Sequence, residues 1–325
     1  MATPMIRALR RTFPRAQIDM VVRADFLDVI RNNPHLDQKL AFPRKAGFSG
    51  LVTLVKTINR ERYDLIYDAH RSLRTFFLMP FLKADKKVYL KKYYFRRNLA
   101  LIFKFPFSLG QMIDRYISPL KLLGIHPDGG GPEVFIDDAE RQKAKAIVKG
   151  PPATWIGVVP SAQWPGKRWA TANYRKLLSL LISQTPFSVI LFGGPSDSFC
   201  SSLSDGLPSH RVINTQGKLT IAEATAAIDE CAFVVANDTG LMHIADALKK
   251  PTVLILGPTS KELGCLPTHP LSQVLEHDLW CRPCSKNGQA PCIRLKRHCL
   301  ELTTPAQVFE MCLRVANILK LEFAG

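Results

Sequence analysis

The stretch VVANDTGLMHIADALKKPTVLILGPTS, residues 234–260, decides the fold class of this chain. An apolar run at 233–236 ends abruptly at four polar or small residues, 237–240, and a helical apolar pattern follows at once. A second apolar run begins at 253. Short apolar runs that alternate with helices are typical of buried parallel strands joined by crossover helices. The stretch therefore predicts a β-α-β unit.

The same alternation extends over nearly the whole chain. Strands are predicted at 18–22, 39–42, 64–70, 154–160, 187–194, 211–215, 233–238 and 252–257. The helices predicted between the later strands cover 171–184, 196–204, 220–230 and 240–249. PDGGGP, 127–132, is the strongest break. We therefore predict an α/β fold with two Rossmann-like, doubly wound domains facing a cleft, at 1–130 and 131–325.

Length and composition limit the class of protein. The chain has 325 residues, 46% of them hydrophobic, which suits two domains better than one. It has no apolar run long enough to span a bilayer and no apolar signal segment at the N-terminus, so we expect a cytoplasmic protein. In that compartment its eight cysteines are expected to be thiols or metal ligands rather than disulfides.

Positive charge is concentrated in the first part of the chain. Residues 1–130 hold 24 Lys and Arg against 10 Asp and Glu, a net charge of +14, whereas residues 131–325 hold 20 against 17, a net charge of +3. The densest stretch, KADKKVYLKKYYFRRNLALIFK at 83–104, contains eight basic residues and one acid. Such a field attracts nucleic acid, an acidic lipid surface or a phosphorylated sugar, although a solvated face that only aids solubility has the same composition.

Polar loops follow the predicted strands of the second half. In open α/β sheets, ligands bind beyond the carboxyl ends of the strands, which is where Asp238, Thr239 and Gly240 are expected. A glycine there admits a ligand close to the backbone, and a helix N-terminus favours negative charge. His243 lies one turn further on the same face. The pattern suits a diphosphate; the alternative is ordinary capping by Asp238 or Thr239 beside a buried histidine.

Two further loops end at the same predicted edge. PSAQWPGKRWATANY, 160–174, carries Lys167, which would neutralise a phosphate, and two tryptophans, either of which could cover a base or sugar ring. FGGPSDSF, 192–199, places Asp197 in the first turn of the next helix, where it would contact a ribose or base, or only cap the helix.

The segment ANDTGLMHIADALKKPTVLILGPT, 236–259, resembles the signature of the lipopolysaccharide heptosyltransferases, glycosyltransferase family 9. LFGGPSD, PSAQWPGKRW and CRPCSKNGQAPCIRLKRHCLELTTPAQV resemble further family segments in the expected order, so the resemblance covers essentially the whole chain. It implies the two-domain GT-B architecture and an inverting transfer of heptose from ADP-heptose to the lipopolysaccharide inner core, with no metal or cofactor required. It also implies an anionic, lipid-linked oligosaccharide acceptor and peripheral contact with the inner face of the inner membrane.

The resemblance assigns residues by position. Asp238, Thr239 and Gly240 match donor-diphosphate contacts, Lys167 matches a lysine on the donor phosphates, and Asp197 falls near an acid on the nucleoside. The complete set of expected donor-binding residues is Ser161, Lys167, Asp197, Asp238, Thr239, Gly240 and His243. The domain at 131–325 would hold the donor. The basic domain at 1–130 would hold the acceptor, with expected contacts from Lys86, Lys87, Lys91 and Lys92.

Four cysteines form a loop motif at 281–299. Cys281, Cys284, Cys292 and Cys299 have the spacing C-x2-C-x7-C-x6-C, which is able to wrap one tetrahedral zinc ion. The alternative is a family loop whose thiols pack without metal. We therefore keep a structural zinc ion as one of two hypotheses.

The start of the chain departs from the family pattern. The family begins with a strand and a Gly-Asp loop whose aspartate is thought to be the general base, whereas this sequence begins at the following helix, ATPMIRALRRTFP. We expect the first, central strand to be missing, a gap between its neighbours, no assigned catalytic base, and a shortened transferase that binds nucleotide but turns over little. Asp68 and His70 are expected to contact the acceptor or to be structural; full turnover would require one of them as base.

Three alternatives remain at this stage. One is a truncated, catalytically impaired nucleotide-sugar-binding homologue. A sugar-nucleotide epimerase would need paired acids in the cleft, and no convincing pair is present in the sequence. A nucleic-acid binder would want aromatic-studded basic strands or a recognition helix, and only 83–104 has that composition, so no nucleic-acid partner is expected.

Overall fold

The computed structural model describes residues 1–104, 108–148 and 154–321, which divide into two compact units. Unit 1 comprises Met1–Tyr94 and Gly110–Gly130, and unit 2 comprises Phe95–Leu109 and Gly131–Gly325. The sequence predicted a single domain boundary, after residue 130. In the structure, residues 95–109 also belong to unit 2. Two hydrogen bonds tie that segment there: Lys104 Nζ donates to Pro283 O at 2.9 Å, and Leu109 N donates to Glu262 O at 2.9 Å.

Unit 1 contains two separate pairs of parallel strands. These are β1 (Asp19–Arg23) with β2 (Gln38–Phe42), and β3 (Leu65–Asp68) with β4 (Lys86–Tyr89). No ladder of hydrogen bonds joins β1–β2 to β3–β4 within the described part of this unit, so the predicted gap between neighbouring strands is present. The helices before residue 131 are α1 (Thr3–Thr12), α2 (Leu27–Ile30), α3 (Gly47–Arg60), α4 (Leu73–Leu78), α5 (Tyr94–Phe103) and α6 (Met112–Ile117); all but α5, which groups with unit 2 from Phe95 onwards, belong to unit 1.

A helix packs over both strand pairs of unit 1. The buried face of α1, which includes Ile6, belongs to one apolar cluster with Ile117 and with the half-buried Met20 of β1 and Tyr67 of β3. This cluster holds the pairs together without main-chain hydrogen bonds between them. Strand β4 was not predicted, because its sequence KKVY is short and half lysine, and strand propensity is weak for such a segment.

Unit 2 is a parallel sheet of six strands in the order β10-β9-β8-β5-β6-β7. The strands are β5 (Trp155–Val159), β6 (Ser188–Leu191), β7 (Val212–Asn214), β8 (Phe233–Asn237), β9 (Thr252–Ile255) and β10 (Gln273–Leu275). The helices are α7 (Asp138–Ile147), α8 (Thr171–Gln184), α9 (Ile221–Asp229), α10 (Gly240–Ala247), α11 (His298–Glu301) and α12 (Pro305–Ile318). Every residue of β5, β6, β8 and β9 is buried, as expected for parallel strands covered on both faces.

The direction of strand growth reverses between β5 and β8. The chain builds outward from β5 to β7, then returns and continues from β8 to β10 on the other side of β5. Ligands of doubly wound sheets bind at such a switch point, beyond the carboxyl ends of the two strands. The described ranges contain no helix with the length and apolar character needed to cross a membrane.

Candidate donor site

The loops after β5 and β8 are joined at the switch point by Asn237. This residue is completely buried; its Nδ2 donates to Pro160 O at 2.7 Å, and its Oδ1 accepts from Trp169 N at 3.2 Å. Asn237 was not among the site residues predicted from the sequence. Asn237 is the last residue of a buried strand, and a buried side-chain amide needs hydrogen-bond partners. This position in the sequence could have identified it.

Three side chains form what we call the switch-point cluster: Lys167, Asp238 and Thr259. Lys167 Nζ lies 2.6 Å from Asp238 Oδ2, and the two side chains are only 13% and 11% exposed. Thr259 Oγ1 donates to the same carboxylate oxygen at 3.0 Å. The loops after β5, β8 and β9 therefore converge on one carboxylate. A ligand phosphate would compete with Asp238 for the ammonium group of Lys167.

The N-terminus of α10 lies beside this cluster in the chain. Thr239 is its N-cap residue, with extended backbone, and its side chain makes no capping hydrogen bond. Simple capping by Thr239, the alternative raised by the sequence, is therefore not observed. Gly240 is exposed, and a Cβ atom built on it would meet no atom within 4 Å. The first N–H groups of the helix are consequently accessible to an anion.

His243 is half-buried one turn into α10. Its Nδ1 is buried and has no hydrogen-bond partner among the described residues. Burial lowers the pKa of His243 to about 4, with Lys167 acting in the same direction and Asp238 opposing it. His243 is thus neutral at physiological pH and offers a hydrogen bond rather than a charge.

Asp197 has two partners of its own. Its Oδ2 accepts from Gly194 N at 2.9 Å, and its Oδ1 lies 3.1 Å from Arg168 Nη2. It does not cap the following 3₁₀ helix, Ser198–Ser204, through its side chain. Arg168 also lies 4.7 Å over the Phe199 ring. Asp197 therefore orients Arg168, and a contact to the nucleoside stays a prediction.

Ser161 and Trp169 of the 160–174 loop are also buried. Ser161 follows β5 at the switch point. Trp169 belongs to the hydrophobic core, and its Nε1 donates to Thr303 O at 2.9 Å. The expectation that either tryptophan could cover a base or sugar is wrong for Trp169, because its ring is consumed by core packing; Trp164 is half-buried.

The cysteine-rich loop 281–299 contacts the switch-point cluster through Arg282. This buried guanidinium donates from Nε to Gly257 O at 2.7 Å and from Nη2 to Thr259 O at 2.6 Å. Its charge is balanced by Glu276 Oε2, 3.0 Å from Nη2. Because both carbonyls belong to the loop after β9, Arg282 fixes the position of Thr259.

The same loop packs directly on Lys167. A Cβ atom on Gly288 would lie 2.6 Å from Lys167 Cγ, and one on Gly166 would lie 2.6 Å from Gly288 O. Gly288 has φ +80°, and its N–H donates to Ser285 Oγ at 2.9 Å. Arg297 donates to Pro165 O at the other edge of the contact. The stem of Lys167 is therefore held against a glycine that has no room for a side chain.

The four thiols of this loop lie close together, since neighbouring thiols add to burial in raising the pKa of Cys284 and of Cys299, but their arrangement is not that of a metal site. Within the described ranges, no group of three or more His, Cys, Asp or Glu side chains is arranged to hold a metal ion. The thiol of Cys284 points at Pro258 O and that of Cys292 at Lys296 O, while Cys281 and Cys299 are buried. Burial raises the pKa of Cys299 to about 11, which favours the protonated thiol. The zinc ion stays a prediction of the sequence alone.

The candidate acceptor residues lie on β3, β4 and the loops after them in unit 1. Asp68 Oδ1 accepts N–H bonds from His70 at 3.0 Å and Arg71 at 2.6 Å, while its Oδ2 is buried without a partner in the described ranges. Lys92 follows β4, the parallel neighbour of β3. Burial is the main cause that lowers the pKa of His70, and the charge of Lys92 is the second.

The four predicted acceptor lysines do not form one group. Lys91 and Lys92 follow the carboxyl end of β4, beside the residues after β3. Lys86 and Lys87 begin that strand, and Lys87 Nζ donates to Met79 O at 3.0 Å. The structure therefore brings Lys91 and Lys92 to the edge that carries Asp68 and His70, and leaves Lys86 and Lys87 at the other end of the strand.

Known proteins are similar to this chain in sequence and in fold. The family profile described as glycosyltransferase family 9 (heptosyltransferase) matches residues 51–292. Lipooligosaccharide heptosyltransferase 2 of Haemophilus influenzae is 28% identical over 295 residues, 84% of this chain and 82% of the relative. The glycosyl transferase family 9 structure from Veillonella parvula superimposes with a TM-score of 0.80 at 20% identity, covering 98% of this chain and 93% of that one. E. coli ADP-heptose LPS heptosyltransferase II superimposes with a TM-score of 0.77 at 21% identity, covering 98% and 95%. The chain therefore belongs to glycosyltransferase family 9, and it is a glycosyltransferase of the heptosyltransferase type.

Proposed function

We propose that this chain transfers a heptose from ADP-heptose to the inner core of lipopolysaccharide, with inversion at the anomeric carbon. The observation that carries the proposal is the switch-point cluster beside the open N-terminus of α10. It combines a largely buried lysine with main-chain donors, which suits a diphosphate. The E. coli relative with the same fold is named for ADP-heptose.

In this proposal, unit 2 stabilises the negative charge of the leaving group. When an acceptor hydroxyl gives up its proton to Asp68 or His70 and attacks the anomeric carbon, the bond from that carbon to the diphosphate oxygen breaks, and ADP departs with additional negative charge. Lys167 would exchange its partner Asp238 for a phosphate oxygen, and the N–H groups at Thr239 and Gly240 would hold the rest of the charge. This stabilisation requires no metal or cofactor.

The acceptor is assigned to unit 1. The positive net charge of residues 1–130 would attract an anionic, lipid-linked oligosaccharide. Lys91 and Lys92 would bind its phosphate or acidic sugar groups. Asp68 and His70, at the same edge, would contact acceptor hydroxyls. Such an acceptor implies a cytoplasmic protein in peripheral contact with the inner face of the inner membrane.

The direct test supplies purified chain with ADP-heptose and lipopolysaccharide from a strain that lacks core heptose. Mass spectrometry should show the acceptor gaining the mass of one heptose, and NMR should show the anomeric configuration inverted relative to the donor. Transfer of another sugar in preference to heptose would contradict the substrate. Tight ADP binding without transfer to any core acceptor would favour the impaired nucleotide-sugar-binding homologue.

A further inference from the structure

An apolar stripe of four exposed side chains lies on one segment of unit 1. Leu73, Phe76, Phe77 and Phe81 are 80%, 68%, 67% and 69% exposed, and they follow each other at i, i+3, i+4 and i+8. The segment is α4 continued by a 3₁₀ turn, Met79–Phe81. Large apolar residues scattered singly over a surface are ordinary, whereas a helical stripe of them marks an interaction surface.

The opposite side of this segment is already used. Leu78, Met79 and Leu82 pack with Ile58 of α3 in a small apolar cluster. Asn59 Nδ2 donates to Phe81 O at 3.0 Å, and Lys83 N donates to Asn59 Oδ1 at 2.8 Å. The backbone is therefore anchored on α3, so the stripe is not exposed because the segment has failed to pack.

Basic residues flank the stripe along the chain. Residues 71–92 contain seven Lys and Arg and a single acid, Asp85. Arg74 lies on the stripe segment itself, with its guanidinium 5.6 Å from the centre of the Phe42 ring. Lys83 and Lys86 are exposed just beyond its end. An apolar face rimmed by cations is complementary to a surface that is anionic at its border and apolar below it.

We propose that the apolar stripe inserts into the headgroup region of an anionic lipid bilayer, with the surrounding cations on the lipid phosphates. The proposal rests on the peripheral membrane contact proposed above and names the surface that makes it. A second copy of the chain fits less well, because two such surfaces would repel each other. The stripe also offers only about 500 Å², because its four side chains of roughly 150–200 Å² each are 67–80% exposed. A stable complex buries about 800 Å² per partner.

The test is co-sedimentation of the full chain with vesicles, in the absence of donor and acceptor. Wild type should partition at least tenfold better into vesicles of phosphatidylethanolamine and phosphatidylglycerol than into neutral phosphatidylcholine vesicles. The double variant Phe76→Ser, Phe77→Ser should lose tenfold or more of that partitioning at low and at high salt. Lys83→Glu with Lys86→Glu should lose it at low salt. Leu122→Ser is the matched control, since Leu122 of unit 1 is 96% exposed but lies outside the stripe.

Three results would overturn the proposal. These are wild type remaining in the supernatant, the phenylalanine variant partitioning like wild type, or a wild-type dimer in vesicle-free buffer that the same variant converts to monomer. Urea unfolding and ADP affinity, measured for each variant, show that both units are folded. Heptose transfer to a deacylated, water-soluble acceptor is measured in parallel. Transfer without vesicle binding would contradict the lipid-binding role of the stripe and support the proposed function. Vesicle binding without transfer would contradict the proposed function and support the role of the stripe.

Discussion

At the scale of single residues, Lys167 and Asp238 neutralise each other, so replacing one of them has two effects. Lys167→Ala removes the proposed phosphate contact and leaves a largely buried carboxylate without its cation. Losing a charged hydrogen bond of about 2 kcal/mol should weaken ADP binding about 30-fold by calorimetry. Stability in urea should fall as well.

A double variant separates the two effects on Lys167. In Lys167→Met with Asp238→Asn, neither charge remains, so stability should recover towards wild type while ADP affinity stays low. Wild-type ADP affinity in the double variant would show that the lysine is a structural partner of Asp238 and not a ligand for phosphate.

Gly288 controls where Lys167 lies. In Gly288→Ala the new Cβ would overlap the lysine stem, so we expect the Michaelis constant for the donor to rise several-fold while that for the acceptor is unchanged. Gly206→Ala is the matched control: its φ of +77° is nearly the same, but nothing lies within 4 Å of the added atom. Both carry a backbone cost of about 1 kcal/mol. Equal donor constants in the two variants would reduce the Gly288 effect to backbone strain.

His243 makes stability depend on pH in a defined window. Its ordinary pKa of 6.5 is lowered to about 4 by burial, so the unfolded chain takes up the proton first as pH falls. The contribution of His243 to the free energy of unfolding should be constant above about pH 6.5 and decline between pH 6.5 and 4. Urea unfolding of wild type and His243→Gln should show a smaller pH slope in the variant; equal slopes would contradict the assignment.

At the scale of elements, the two ends of β4 have different surroundings. Charge reversal of Lys91 and Lys92 should raise the Michaelis constant for a deacylated, water-soluble acceptor and spare that for the donor. The effect should fade with added salt, because exposed charges are screened beyond about 8 Å at physiological ionic strength. Lys86→Glu makes the same kind of charge change at the far end of the strand and should have little effect. An unchanged acceptor constant at low salt would leave these lysines a role in solubility only.

The elements also differ in how far sequence predicted them. β5, β6, β8 and β9 were placed within three residues at either end, because a strand buried on both faces is an unbroken apolar run. β4 and β10 were missed: β4 carries lysines, and β10 is a three-residue edge strand without a distinctive pattern. Their pairing partners, not their own residues, make them strands.

At the scale of the whole molecule, nucleotide should stabilise the chain and nucleic acid should not. A ligand that binds only the folded state at 100 times its dissociation constant adds about 2.7 kcal/mol. ADP should therefore raise the melting temperature by several degrees in a calorimetric scan at physiological salt, and Lys167→Ala should need more ADP for the same shift. A random oligonucleotide at equal phosphate concentration should leave the transition unchanged; an equal shift would revive the nucleic-acid hypothesis.

The sequence by itself determined the fold class and the family, and it predicted most of the residues of the candidate donor site. Their signals are local: an apolar run ending in Asp238-Thr239-Gly240, or a glycine and lysine after a strand, is written in consecutive residues. Tertiary structure alone decided which of these groups touch. Lys167 and Asp238 are 71 positions apart and meet because β5 and β8 are neighbours at the switch point. Thr259, Arg282 and Gly288 join the site only because the loop 281–299 folds back over the loops after β5 and β9. The sequence pointed to the cysteines of that loop, whereas Arg282 and Gly288 make its contacts with the candidate donor site. Hydrogen bonds to main-chain carbonyls, and close packing against a residue without a Cβ atom, leave no pattern in a sequence.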